Sequence, residues 1–66
     1  MKPLDFEKVE SMAFRRGWGL ATLQTKAGLA NRTLYRIKAG ESRGSAATVF
    51  KLARALGCDP MELLKA

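Results

Sequence analysis

The sequence predicts a compact all-α domain of five helices, and three observations lead there. Strand signals are poor: apolar and polar residues do not alternate, and the β-branched residues are scattered. Apolar residues recur instead at helical spacing, in short pieces divided by glycine. The composition, 47% apolar and 27% charged, is that of a globular chain and not of a disordered one. The 66 residues are expected to form one domain, 1–66, with no room for a second. A domain this short buries only about 60% of its unfolded surface, so it is marginal alone and open to support from a partner subunit.

The first helix is expected from about Leu4 to Arg16. Pro3 suits an early helical position, Asp5 and Glu7 lie near the positive end of the helix dipole, and Arg15 and Arg16 near the negative end. Phe6, Val9 and Met12 make its inward stripe, and Gly17 ends it. A second helix spans about 20–26, Leu20 to Lys26, with Gly28 just past its end in the left-handed position. A third spans about 31–38, Asn31 to Lys38, and stops before Gly40. Two short helices separated by a tight glycine turn have the layout of a helix-turn-helix. Ser42 to Ser45 form a loop, and Ser45 caps a fourth helix, about Ala46 to Leu56, that buries Val49, Leu52, Ala53 and Leu56. Gly57 closes it. Asp59-Pro60-Met61-Glu62 opens a last helical turn or two, with Asp59 as cap, Pro60 in first position and Glu62 at the capping-box site.

Charge is concentrated. Residues 1–10 and 59–66 each sum to −1, whereas residues 11–58 carry nine Lys or Arg against Glu41 alone, a sum of +8. Such a centre suits a polyanion, most simply nucleic acid, or is a solvated basic surface. An anionic membrane is the weaker third reading, because no segment pairs a Lys-rich face with a long apolar one. With no His and a single cysteine, Cys58, the chain offers no internal disulfide, no Cys/His metal site and no His-based triad. No nucleophile–base or carboxylate constellation points to an enzyme. No cofactor and no small-molecule substrate is implied. The apolar runs are far shorter than the roughly 18 residues a bilayer requires, and Met1-Lys2-Pro3-Leu4-Asp5 does not resemble a signal peptide. A reduced, cytoplasmic, non-catalytic binding domain is expected.

The third helix carries the most information. At 100° per residue Leu34 and Ile37 define its inward face. The opposite face is centred on Arg32, Tyr35 and Arg36, flanked by Asn31 and Thr33. Arg can donate two bonds to guanine O6 and N7, and Asn can pair bidentately with adenine, so this face suits a major groove. The bland alternative is an amphipathic helix with a solvated basic side.

Arg16-Gly17-Trp18, Leu23, Lys26-Ala27-Gly28-Leu29, Thr33-Leu34-Tyr35-Arg36-Ile37, Gly40-Glu41, Thr48 and Lys51-Leu52-Ala53-Arg54-Ala55-Leu56-Gly57 stand in a specific order and spacing. Together they resemble the Cro/repressor (XRE-type) helix-turn-helix family, over Phe6 to Leu64. The resemblance implies a lambda-repressor-like five-helix DNA-binding domain, of prokaryotic or phage origin, that often acts as a homodimer on a double-stranded DNA operator. It assigns Ala30, Asn31, Arg32 and Arg36 to places that face base edges, beside Tyr35 of the outward face. It assigns Thr33, Arg43 and Ser45 to phosphates.

Four positions depart from the family pattern. Leu20 replaces a Gln that reaches a phosphate, and Gly19 replaces the Ser or Thr that caps the second helix. Gln24 replaces a small residue, so it must snorkel outward or be bonded, and it is a candidate for the phosphate contact that Leu20 cannot make. Ala13 and Lys38 stand where an Arg–Glu pair is usual, so both partners of that pair are missing and no orphan charge is expected. Trp18 is expected in the core. Phe6, Phe14 and Phe50 are expected in the core or a dimer surface, with Phe14 partly exposed. Cys58 is expected to be a structural thiol. Leu63 and Leu64 are expected to cover the core or a two-fold partner.

Two functions follow. The first is a sequence-specific transcriptional regulator of minimal size; no acid lies on the second helix where activating members carry one, so repression by promoter occlusion is favoured. The alternative is a protein-interaction module, antitoxin-like or binding a toxin or polymerase, with little DNA specificity. Leu20 and Gln24 support the alternative, and Arg32, Arg36 and Arg43 oppose it.

Overall fold

The computed structural model describes residues 3–65; Met1 and Lys2 of the opening stretch, and Ala66, lie outside the described residues. Four α-helices follow one another: α1 (Phe6–Arg15), α2 (Leu20–Ala27), α3 (Thr33–Lys38) and α4 (Ala46–Leu56). The fifth element is shorter than a full helix, a single 3-10 turn at Pro60–Leu63. Asp59 and Glu62 box it as their spacing predicts: Met61 N–H donates to Asp59 Oδ1 at 2.9 Å, and Asp59 N–H donates to Glu62 Oε2 at 3.0 Å.

The first helix begins later than the sequence suggests. Asp5 is its cap, with Oδ1 accepting from Lys8 N–H at 3.3 Å. Pro3 and Leu4 are extended instead, and Leu4 pairs antiparallel with Leu64. Asp5 N–H donates to Leu63 O at 2.7 Å, and Lys65 N–H donates to Pro3 O at 2.9 Å. Pairing the two ends of the chain satisfies these backbone groups and buries Leu4, which one more helical turn would not have done.

All four α-helices stop in the same way. The amide of the glycine after each helix bonds back three residues, and the next amide bonds back five: Gly17 to Phe14 and Trp18 to Ala13, Gly28 to Thr25 and Leu29 to Gln24, Gly40 to Ile37 and Glu41 to Arg36, Gly57 to Arg54 and Cys58 to Ala53. This pair of bonds satisfies carbonyls that the helix leaves open and turns the chain sharply. Three of the residues that follow, Trp18, Leu29 and Cys58, are thereby folded back onto the core. Gly44 has a different role. Its φ is +80°, and a Cβ there would stand 3.1 Å from Ile37 Cδ1, so the loop after α3 runs close against that helix.

The core is built from Val9, Ala13, Leu23, Leu34, Val49, Leu52, Ala53, Leu56 and Leu63. On α1 the fully buried pair is Val9 and Ala13, spaced i, i+4; Phe6 and Met12 are only half-buried, so the stripe is rotated from the one expected. Leu63 enters the core and Leu64 packs on its edge. Phe14, Phe50 and Met61 are exposed and belong to no core. Trp18 is half-buried, with Arg16 and Lys26 over its ring at 6.0 and 5.7 Å from the centroid. Cys58 is half-buried too, and burial pushes its thiol pKa up, away from the reactive thiolate.

Arg16 does more than complement a helix dipole. One guanidinium nitrogen donates to Met12 O at 3.0 Å in the last turn of α1, and the other donates to Leu56 O at the end of α4. One cation therefore closes the negative ends of two helices. Among the described residues no helix is long and apolar enough to cross a membrane. None of their His, Cys, Asp and Glu side chains form a group of three or more that could hold a metal ion.

Two substitutions test this packing by thermal melting. Leu34→Ala empties a site with no exposure and should cost about 2–5 kcal/mol. Arg16→Met keeps the aliphatic stem but removes both carbonyl contacts, and should cost about 1 kcal/mol.

Candidate nucleic-acid interface

The segment from α2 to α3 is held by a short relay of hydrogen bonds. After Gly28 the chain runs through Leu29, half-buried against the core, and then exposes Ala30, Asn31 and Arg32 in succession. The third helix was expected from Asn31, yet it starts at Thr33. Thr33 donates twice to Ala30 O, from its amide at 3.2 Å and from Oγ1 at 2.8 Å, which closes Ala30 to Thr33 into a turn. Arg32 at the cap position has φ +70° and makes no capping side-chain bond. It is the one described non-glycine residue with positive φ. Such a backbone costs an ordinary L-residue roughly 1–2 kcal/mol, and strain of this kind tends to be kept where a side chain must be aimed.

From Thr33 onward the periodicity holds. Leu34 is fully buried and Ile37 half-buried, while Arg36 stands exposed on the outer side. The two flanks of α3 differ. On one, Arg36 shares a shallow polar depression with Thr33, Glu41 and Ser42. On the other, Tyr35, 45% exposed, lines an open apolar groove with Phe14, Trp18, Leu20 and Lys38. Tyr35 thus belongs to a flank separate from Arg36, in keeping with the 100° between successive helical residues. Arg43 is exposed in the following loop. Ser45 caps α4, its Oγ accepting from Thr48 N–H at 3.2 Å.

Of the two arrangements open to Gln24, outward or bonded, the structure shows the bonded one. Gln24, a candidate for a phosphate, is buried to 8% exposure, and its Oε1 accepts from the Leu34 amide at 3.2 Å. The side-chain carbonyl is thereby committed to a buried amide within the protein. Gly19 begins α2 without a side-chain cap, as its lack of a side chain dictates, and Leu20 lies half-buried against the core.

The sequence also missed an ion pair. Lys38 Nζ lies 3.0 Å from Glu10 Oε2, joining the end of α3 to α1. It replaces an Arg-to-Glu polarity by the reverse, with the acid one turn earlier than Ala13. The signal was present in Glu10, three residues before Ala13, but only the packing of two helices brings it to Lys38. Since Lys38 is paired and Arg16 is bound to carbonyls, Arg15, Lys26, Arg32, Arg36, Arg43, Lys51 and Arg54 remain as exposed cations of the basic centre.

A buried inward face, an outward Arg-bearing face and a preceding helix at a tight turn together make a helix-turn-helix with its second helix displayed. Comparison with the curated proteins and with the solved structures found no significant match. A family model described as the Cro/C1-type HTH DNA-binding domain matches residues 8–66, which takes in all the helices but the first two residues of α1. The chain therefore belongs to the Cro/C1-type helix-turn-helix family of DNA-binding domains.

Proposed function

We propose that this DNA-binding domain is a sequence-specific transcriptional repressor that occludes a promoter, bound as a homodimer with α3 in the major groove of each half-site. The observation that carries the reading is the exposure of Asn31, Arg32 and Arg36 around a helix whose opposite side, through Leu34, is anchored in the core. A base reader must be held rigidly from behind while its polar groups stay free in front. In this reading Ala30, Asn31, Arg32 and Arg36 meet base edges, with Tyr35 at the margin. Thr33, Arg43 and Ser45 lie near phosphates. Repression is favoured over activation because α2, Leu20–Ala27, carries no acidic residue.

A second reading is a protein-interaction module. The apolar groove between Phe14, Trp18, Leu20 and Tyr35 favours it, because exposed aromatic side chains are common anchors at interfaces. Selection of bound sequences from a random duplex library separates the two. A palindromic consensus supports the repressor and its symmetry together; no enrichment leaves the interaction module.

Salt dependence should be steep. Each phosphate contact contributes about −0.9 to the log–log slope, so a dimer with three or four contacts per subunit should give a slope on the order of −6. Arg36→Ala should cost about 1–3 kcal/mol on the selected site and much less on random duplex, relaxing preference at one base pair per half-site. Arg43→Ala should instead weaken binding to both duplexes alike and reduce the slope by about one per subunit. Equal losses for Arg36→Ala on both duplexes would mean that a different face reads the bases. Arg32→Gly should raise fold stability by about 0.5–1 kcal/mol, because glycine accepts the left-handed backbone. The same change should lower affinity for the selected site.

A further inference from the structure

We infer that Gln24 is a positioning residue for base reading: from α2 it clamps both ends of the helix-turn-helix turn and so sets the seat of α3. The inference rests on the proposed reading by α3, but the clamp itself is a feature of the free protein.

The third helix is poorly equipped to start on its own. It has six residues, and the residue at its cap position, Arg32, offers no side-chain acceptor. First-turn amides have no partner within a helix, so each must find one elsewhere. Thr33 N–H uses Ala30 O. Leu34 N–H belongs to a residue with no exposure, out of reach of water, and its partner is Gln24 Oε1 at 3.2 Å. Gln24 is the single buried polar side chain among the described residues.

The backbone of the same residue completes the device. Gln24 O accepts from Leu29 N–H at 3.0 Å, the bond that ends α2 and turns the chain. Its carbonyl thus holds the entry to the turn and its side chain holds the exit. Between the two bonds lie Ala30, Asn31 and Arg32, three of the residues proposed to face bases. Through the pair of bonds, these residues and α3 are referred to α2, the helix before the turn. A buried acceptor replaced by an apolar group leaves the Leu34 amide unpaired, and the first turn of α3 loses its fixed register to α2.

Loss of register should penalise ordered base contacts while sparing attraction to phosphates, which depends on charge. Gln24→Met keeps the length and removes the acceptor. Its affinity for the selected duplex should fall about three- to tenfold, the size of one hydrogen bond. Its affinity for random duplex and its salt slope should be unchanged. Gln24→Glu, which keeps an acceptor, should restore the ratio of selected to random affinity even as its negative charge weakens both. Gln24→Ala carries the small residue usual in the family and serves if the methionine variant does not fold. All measurements are made well below each melting temperature, so a merely structural role would lower the melt and leave the ratio intact.

An unchanged ratio in a folded acceptor-free variant overturns the inference. A reduced salt slope also overturns it, since that is the mark of a phosphate contact. Amide exchange of Leu34 in the free protein provides a readout without DNA: exchange should speed up in Gln24→Met or Gln24→Ala and remain slow in Gln24→Glu. If the wild-type chain does not prefer any duplex, the proposed reading fails. The Leu34 exchange rates then still decide whether the clamp exists.

Discussion

Helices of six to eleven residues are too short to persist alone in water, because nucleation costs more than so few hydrogen bonds return. Each element here therefore depends on one shared set of buried leucines, Leu23, Leu34, Leu52, Leu56 and Leu63. Every other feature serves to bring short segments to that core and turn them away again. Repeated glycine terminations do the turning, and the same bonds return Trp18, Leu29 and Cys58 to the core. The Leu4–Leu64 pairing then ties the two ends of the chain across it.

On this apolar base a few polar contacts decide orientation. Arg16 closes the ends of α1 and α4, Glu10 and Lys38 tie α1 to α3, and Gln24 ties α2 to the start of α3. The exposed Glu10–Lys38 pair is worth little in stability, since Lys38 pays with side-chain entropy and solvent screens it. It lies at one end of α3, and the Gln24 bond lies at the other. Among the described residues no buried side-chain nitrogen or oxygen lacks a partner, so these orienting contacts leave no polar debt in the interior.

In the proposed reading, affinity and selectivity fall on different parts of the molecule. The basic centre spreads exposed cations over α1, α2, α4 and the loops, which suits long-range attraction to any duplex. In that reading the side chains that face bases come from the stretch Ala30 to Arg36, which is bonded to α2 through Gln24 and anchored in the core by Leu34. Backbone strain at Arg32 lies within that stretch.

The sequence by itself determined the helical class, the glycine boundaries, the Ser45 and Asp59 caps, the buried face of α4 and the helix-turn-helix layout. These depend on contacts within a few residues, or on periodicity along one helix, and both are legible along a chain. Resemblance to a family supplied the binding class. Only the tertiary structure decided where α1 begins, because Leu4 is drawn from the helix by Leu64, sixty residues away. It likewise decided that Phe14 and Phe50 stay outside and that Lys38 meets Glu10. Gln24 is the sharpest case. Its sequence allowed either an outward or a bonded side chain, and the choice was made by a single unpaired amide on another helix, at Leu34. Such partners are set by the approach of separate elements, which local pattern and spacing do not encode.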